Sequence, residues 1–201
     1  MPMVVTTPSG PAWIDLQEPD SSPRSLLVLG HGAGGGVNAP DLTAVSVAAV
    51  EAGIAVARVT QPYRVAGRRS PAPAPRLDEA WLAVLAALRQ HEGFAELPLI
   101  QGGRSSGARV ACRTATPARA AAVVALAFPV HPPGKPERSR LAELAQVRVP
   151  VLVVQGDRDA FGMPAADSVT RLVVINGADH SLKKSVTVIA TAVVEFVSQL
   201  S

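Results

Sequence analysis

Six short apolar runs punctuate this chain with helical periods between them, and that alternation restricts the fold more than any other feature. The runs are "LLVL" (26–29), "IAVARV" (54–59), "PLIQ" (98–101), "AVVALA" (122–127), "VLVVQ" (151–155) and "LVVI" (172–175). Each is short and apolar at consecutive positions, as a strand covered on both faces must be. Between them Leu77, Trp81, Val84, Leu85 and Leu88 share a helical stripe, with Asp78 and Glu79 expected in its first turn and Gly93 past its end. Val186, Ile189, Val193, Val197 and Leu200 form a second stripe, and a helix over 41–52, stopped by Gly53, completes the first unit. Such alternation predicts an α/β fold in three layers, a mostly parallel central sheet with helices on both faces. A chain of 201 residues with no internal repeat and no linker is expected to be one domain over 1–201, without a lid domain.

Composition removes several function classes. Hydrophobic residues make up 48% of the chain, yet no run approaches the ~20 residues of a spanning helix. "MPMVVTTPSG" has no basic segment ahead of an apolar core, so a cytoplasmic protein without a membrane partner is expected. The charge of +3, from 19 Lys and Arg against 16 Asp and Glu, is too mild for a nucleic-acid partner, and 3% aromatics offer little to stack bases on. Cys112 has no second cysteine to pair with and reads as a small buried hydrophobe inside a helix. No cysteine-histidine cluster points to a metal.

Chemistry enters at "QGGRSSGAR" (101–109). Gly103, Arg104, Ser105, Ser106 and Gly107 fit G-x-S-x-G only when centred on Ser105. A strand precedes the motif and a helix-compatible "GARVACRTA" follows, the context a nucleophile elbow needs. A serine hydroxyl is a weak nucleophile until a histidine takes its proton, and that histidine needs an acid to fix its tautomer. In the order Ser, Asp, His, the acid follows a later strand and the base the last one. "GDRDAFG" after "VLVVQ" offers Asp157 and Asp159, with Asp159 preferred because it lies further past the strand; "NGADHSLK" after "LVVI" offers His180. Of the other histidines, His91 reads as solvent-facing, while His31 and His131 stand outside the base position and are candidates only for touching substrate.

An oxyanion needs donors, and "GHGAGGG" after the first run is a glycine-rich turn whose amides can face a site. The expected pair is the N–H of Ser106 and that of Ala33, with the neighbouring Gly34 as the alternative to Ala33. Gly30, Gly32 and Gly35 also match the dinucleotide fingerprint G-x-G-x-x-G, with Arg58 or Arg64 available for a 2′-phosphate. That alternative wants an acid at the end of the next strand, where "IAVARVTQ" has none, and it leaves Ser105, Asp159 and His180 without a purpose. Two proline-rich stretches, 61–75 and 131–140, emerge at the carboxyl edge of the sheet as candidate walls of the site. Arg64, Arg68 and Arg69 in the first, with Arg104 in the elbow, are candidates for a carboxylate or phosphate on the substrate.

Taken in order, from "LLVLGHGAGGG" to "NGADHSLK", these pieces resemble the α/β-hydrolase superfamily. The compact length is similar to its small, lidless, dienelactone-hydrolase-like branch, although a serine stands where dienelactone hydrolases carry a cysteine nucleophile. "GHGAGGG", "GRRSPAPAP", "GGRSSGAR" and "FPVHPPGKPE" together resemble the predicted hydrolases grouped with testis-expressed protein 30 and the third subunit of a chromatin-associated acetyltransferase complex. The resemblance implies Ser105 as nucleophile, His180 as base and Asp159 as its partner. It further implies hydrolysis of a small carboxylic ester or thioester through an acyl-enzyme, with no cofactor. Members known as parts of complexes supply the alternative, a hydrolase-fold interaction module with little or no catalysis.

Overall fold

The computed structural model describes residues 2–200; Met1 and Ser201, the ends of the expected domain, lie outside the described residues. One sheet holds β1 (Met3–Thr7), β2 (Gly10–Gln17), β3 (Leu26–Gly30), β4 (Ala55–Thr60), β5 (Leu99–Arg104), β6 (Ala122–Leu126), β7 (Val151–Gly156) and β8 (Arg171–Ile175). Their order is β1-β2-β4-β3-β5-β6-β7-β8. From β4 to β8 every pairing is parallel, whereas β2 runs antiparallel to both β1 and β4. The helices are α1 (Pro40–Glu51), α2 (Pro62–Val65), α3 (Ala74–Arg89), α4 (Ser106–Thr114), α5 (Leu141–Ala145) and α6 (Val186–Ser198).

Side chains alternate across each strand, so a run that is apolar throughout feeds two cores. Leu27 and Leu29 of β3 pack with Val45 of α1 and Ile189, Val193 and Val197 of α6. Leu26 and Val28 face the other way, onto Leu77, Trp81, Val84 and Leu88 of α3. On that same side, α4 and α5 cover β6 and β7 through Ala108, Ala111 and Leu144 against Val123 and Val153. Cys112 is buried in α4, and burial, aided by the Glu143 charge, pushes its thiol up to about 12. Among the described residues no helix is long and apolar enough to cross a membrane.

Two expectations need correction. The β1–β2 hairpin extends the sheet beyond the first apolar run; it carries the half-exposed alternation of an edge, and Asp15 on β2 forms an ion pair with Arg58 on β4. Helix α3 starts at Ala74, set by prolines at its first turn, so Asp78 and Glu79 fall in the second turn rather than the first. Asp78 there binds Arg113 of α4 through contacts of 2.6 and 2.8 Å, leaving the arginines of the 61–75 loop without it as a partner.

Candidate active site

β5 delivers the chain to a turn too sharp for ordinary backbone. Ser105 lies between β5 and α4 with φ 53° and ψ −105°, a conformation that costs a non-glycine residue about 1–3 kcal/mol. Its N–H is held by the Leu126 carbonyl at 2.9 Å, and its own carbonyl accepts from Arg109 N–H at 3.2 Å. The turn closes only because Gly103 and Gly107 both press on the main chain of Gly30 at the end of β3, where a Cβ on either would overlap the Gly30 carbonyl. The strain thus projects the Ser105 side chain out of the sheet edge.

Two loops bring partners to that side chain. Ser105 Oγ–H donates to His180 Nε2 at 2.9 Å, and His180 Nδ1–H donates to Asp159 Oδ2 at 2.8 Å. The Asp159 side chain is fully buried and that of His180 is 23% exposed. Gln155 Nε2 also donates to Asp159 Oδ2 at 2.8 Å, while Asp159 Oδ1 accepts from Phe161 N–H at 2.8 Å. Asp157, the other acid considered, accepts from Gly177 N–H at 2.7 Å and shapes the turn that carries His180. The Phe161 ring stacks on the imidazole, centroids 3.9 Å apart and planes 26° from parallel.

The glycine-rich turn after β3 is fixed peptide by peptide. The Gly32 carbonyl accepts from His31 Nδ1–H at 2.8 Å and from Gly35 N–H at 3.1 Å. A trans peptide is planar, so anchoring the Gly32 oxygen turns the Ala33 N–H to the opposite side of the same plane. The Ala33 carbonyl accepts from Tyr63 Oη–H at 2.8 Å, and burial pushes that phenol up to about 12. Ser106 N–H, at the first position of α4, has no helical acceptor of its own.

A family model described as an alpha/beta hydrolase domain matches residues 23–195. This chain is a member of the alpha/beta hydrolase family. The hydrolase is similar in structure to an alpha-beta serine hydrolase homologue from Coxiella burnetii, with a TM-score of 0.80 and 21% identity over 98% of this chain and 97% of that one. A lidless alpha/beta serine hydrolase from Xanthomonas campestris gives a TM-score of 0.79 at 20% identity, covering 99% and 94% of the two chains. Dienelactone hydrolase from Anabaena variabilis gives 0.80 at 20% identity, over 99% and 96%. These likenesses are of fold. No curated protein sequence matches the chain.

The remaining candidates of this hydrolase divide by placement. His31 is 2% exposed, and Gln61 N–H donates to its Nε2 at 3.1 Å, so main-chain groups occupy both ring nitrogens and neither is open to a substrate. His131 stands behind the site: its Nδ1–H donates to the Pro132 carbonyl at 2.9 Å, its N–H donates to the Phe161 carbonyl at 3.0 Å, and its ring packs on Gly162. It therefore backs the segment whose Phe161 covers His180. Arg68 and Arg69 line a depression of about 520 Å³ with Tyr63, Pro71 and Arg76, whose walls include neither Ser105 nor His180. Among the described residues the Arg64 side chain hydrogen-bonds only to the Arg68 carbonyl, at 3.2 Å. Arg104 turns inward, to Asp41 and the His180 main chain. Arg58, once a candidate for a dinucleotide phosphate, is taken by Asp15 and the Val37 carbonyl.

Sequence reasoning missed Gln155, Phe161, Tyr63 and Asp41. Only Phe161 left a signal, as a lone aromatic in a loop two residues past the acid.

His31 also gives the fold a sensitivity to acid. Burial holds its pKa below the ordinary 6.5, so the folded protein keeps the ring neutral while the unfolded chain takes up a proton. The stability it contributes is present above 6.5 and is lost as pH falls below that value toward the lowered folded pKa. Urea unfolding at about pH 7.5 and about pH 5.5 should show a smaller stability loss for His31→Gln than for the wild type. Equal losses would place the acid sensitivity elsewhere.

Proposed function

We propose that this protein is a serine hydrolase that cleaves small carboxylic esters or thioesters through an acyl-enzyme, using Ser105, His180 and Asp159. The observation carrying this reading is the continuous line of contacts from Ser105 Oγ to His180 Nε2 at 2.9 Å and from His180 Nδ1 to Asp159 at 2.8 Å, ending on a serine in a strained elbow. Ser105 Oγ attacks the acyl carbon as its proton passes to His180 Nε2. The oxyanion receives the N–H groups of Ser106 and Ala33, each such donor contributing about 3 kcal/mol to the transition state. As the tetrahedral intermediate collapses, the bond to the leaving oxygen or sulfur breaks and Nε2 returns the proton to it. Water then attacks the acyl-serine carbonyl, giving a proton to Nε2; the acid departs, and Ser105 recovers its hydroxyl proton.

Asp159 holds the imidazole with Nε2 free to accept and stabilises the cation formed at each step. Esters and thioesters suit this machinery because their leaving groups ask less of the returning proton than an amide nitrogen does. The similar structures of a dienelactone hydrolase and a lidless serine hydrolase are in keeping with a small acyl substrate at an open edge. We place the protein in the cytoplasm, and by its loop motifs with the testis-expressed protein 30 group.

Intact-mass analysis after treatment with a fluorophosphonate tests the reading directly. One adduct on the wild type and none on Ser105→Ala is the expected result. Folded wild-type protein that takes up no probe would leave the interaction module as the better account.

A further inference from the structure

Acyl transfer as set out above leaves two charged side chains beside the site without a role. Asp41 stands in the first turn of α1, directly after the glycine-rich turn; its side chain is fully buried, and neither carboxylate oxygen has a hydrogen bond among the described residues. An isolated buried carboxylate is strongly unfavourable, so it calls for a counter-charge. Arg104 supplies one, its Nε 3.3 Å from Asp41 Oδ2. The same guanidinium donates through Nη2 to the carbonyl of His180 at 3.0 Å. Burial pushes the Asp41 carboxyl up, while Arg104, then the nearby main-chain N–H groups of Leu42 and Asp41, and last His180 pull it down.

We infer that Arg104, anchored by the buried Asp41, is a positioning residue that sets the separation of Ser105 and His180 by holding the main chain of both. The inference rests on the acyl-transfer reading. Arg104 precedes Ser105 in the elbow, so one side of it is bonded covalently to the nucleophile; its guanidinium reaches the backbone of the base. His180 belongs to the turn between β8 and α6, where Ala178 N–H binds Ile175, Leu182 N–H binds Asp179 and Ser181 binds Asp179. These bonds shape the turn without tying it to the elbow. Arg158 N–H, donating to the Ala178 carbonyl at 3.0 Å, ties it to the loop of Asp159. Arg104 makes the corresponding tie to Ser105, and Asp41 extends it to the start of α1. A displacement near 1 Å between nucleophile and base costs about 100-fold in rate, which makes such a tie consequential. Lysine is a poor replacement, because a single ammonium lacks the fork that meets a carboxylate and a carbonyl at once.

Removing one partner alone would strand the other charge in the protein, so the deciding variant is Asp41→Asn with Arg104→Gln, compared with Arg104→Lys. With p-nitrophenyl acetate as probe, the folded double variant should lose about 30- to 100-fold in kcat with KM within about twofold, and Arg104→Lys should recover part of the loss. In the ¹⁵N spectrum of the His180 ring the Nε2 resonance should shift as its hydrogen bond with Ser105 weakens, while Nδ1 stays bound to Asp159. A folded double variant with kcat within about twofold of wild type and an unchanged ring spectrum would overturn the inference. If the double variant does not fold, Arg104→Lys decides by the same readouts. Wild-type protein inert to both the ester and a fluorophosphonate would sink the acyl-transfer reading, and the ring spectrum alone would then decide the positioning role.

Discussion

Asp159→Asn should lower kcat for p-nitrophenyl acetate by about 10,000-fold while the protein still folds. The cause is the donor count around this side chain. Asp159 receives three N–H groups, from His180 Nδ1, Gln155 Nε2 and the Phe161 main chain, and offers none back. Asparagine keeps one oxygen and substitutes an NH₂ for the other. If that NH₂ faces His180, the imidazole must move its proton to Nε2 to accept, and Nε2 can no longer take the proton of Ser105. If it faces Phe161 instead, two N–H groups meet across a buried gap, at a cost of about 1–3 kcal/mol. The first outcome removes the tautomer that the reaction needs; the second keeps it, and both remove the carboxylate charge that would stabilise the imidazolium. Steady-state kinetics beside a thermal melt provides the check; a loss under about tenfold would mean that something other than Asp159 orients the ring.

The largest effect on stability is expected at Gly103. Its φ of +151° is strained for any L side chain, and an added Cβ would overlap the Gly30 main chain of the neighbouring strand. No flexible side chain lies there to yield, so β3 and β5 would have to separate at the centre of the sheet. Gly103→Ala should therefore cost more than about 4 kcal/mol by denaturant unfolding. Gly34→Ala is the control: nothing lies within 4 Å of its added Cβ, and its cost should stay within about 0.5 kcal/mol. Similar costs for the two would remove the close approach of β3 and β5 as the reason for glycine in the elbow.

Strands buried on both faces were the legible part of the fold, because apolar character on consecutive residues survives without knowledge of what covers it. The edge hairpin was not legible. Pro11 and the charged Asp15 interrupt β2, and Asp15 is accommodated there by Arg58 on the next strand, a contact that no local pattern announces. The start of α3 was misplaced for a related reason: Pro75 reads as loop when it is in fact a helix-initiating residue. At the site, Ser105, Asp159 and His180 each follow a strand in a short segment, so their arrival at one edge of the sheet could be anticipated. The directions of the Arg104 and His31 side chains could not. Both point inward because each meets a buried acceptor, Asp41 at the start of α1 in one case and the Gly32 carbonyl of the glycine-rich turn in the other, which the sequence shows only as polar and flexible segments.

The plane of Phe161 against His180 carries a thermal consequence. An imidazole bound at both nitrogens and covered on a face has surrendered its torsional freedom when the chain folds, long before any substrate arrives. On the acyl-transfer reading each turnover would begin from an already ordered base, and the rate would follow temperature chiefly through bond-making enthalpy. Phe161→Ala would uncover that face and return part of the motion, shifting part of the barrier from enthalpy into activation entropy, which rates measured over a range of temperatures would read.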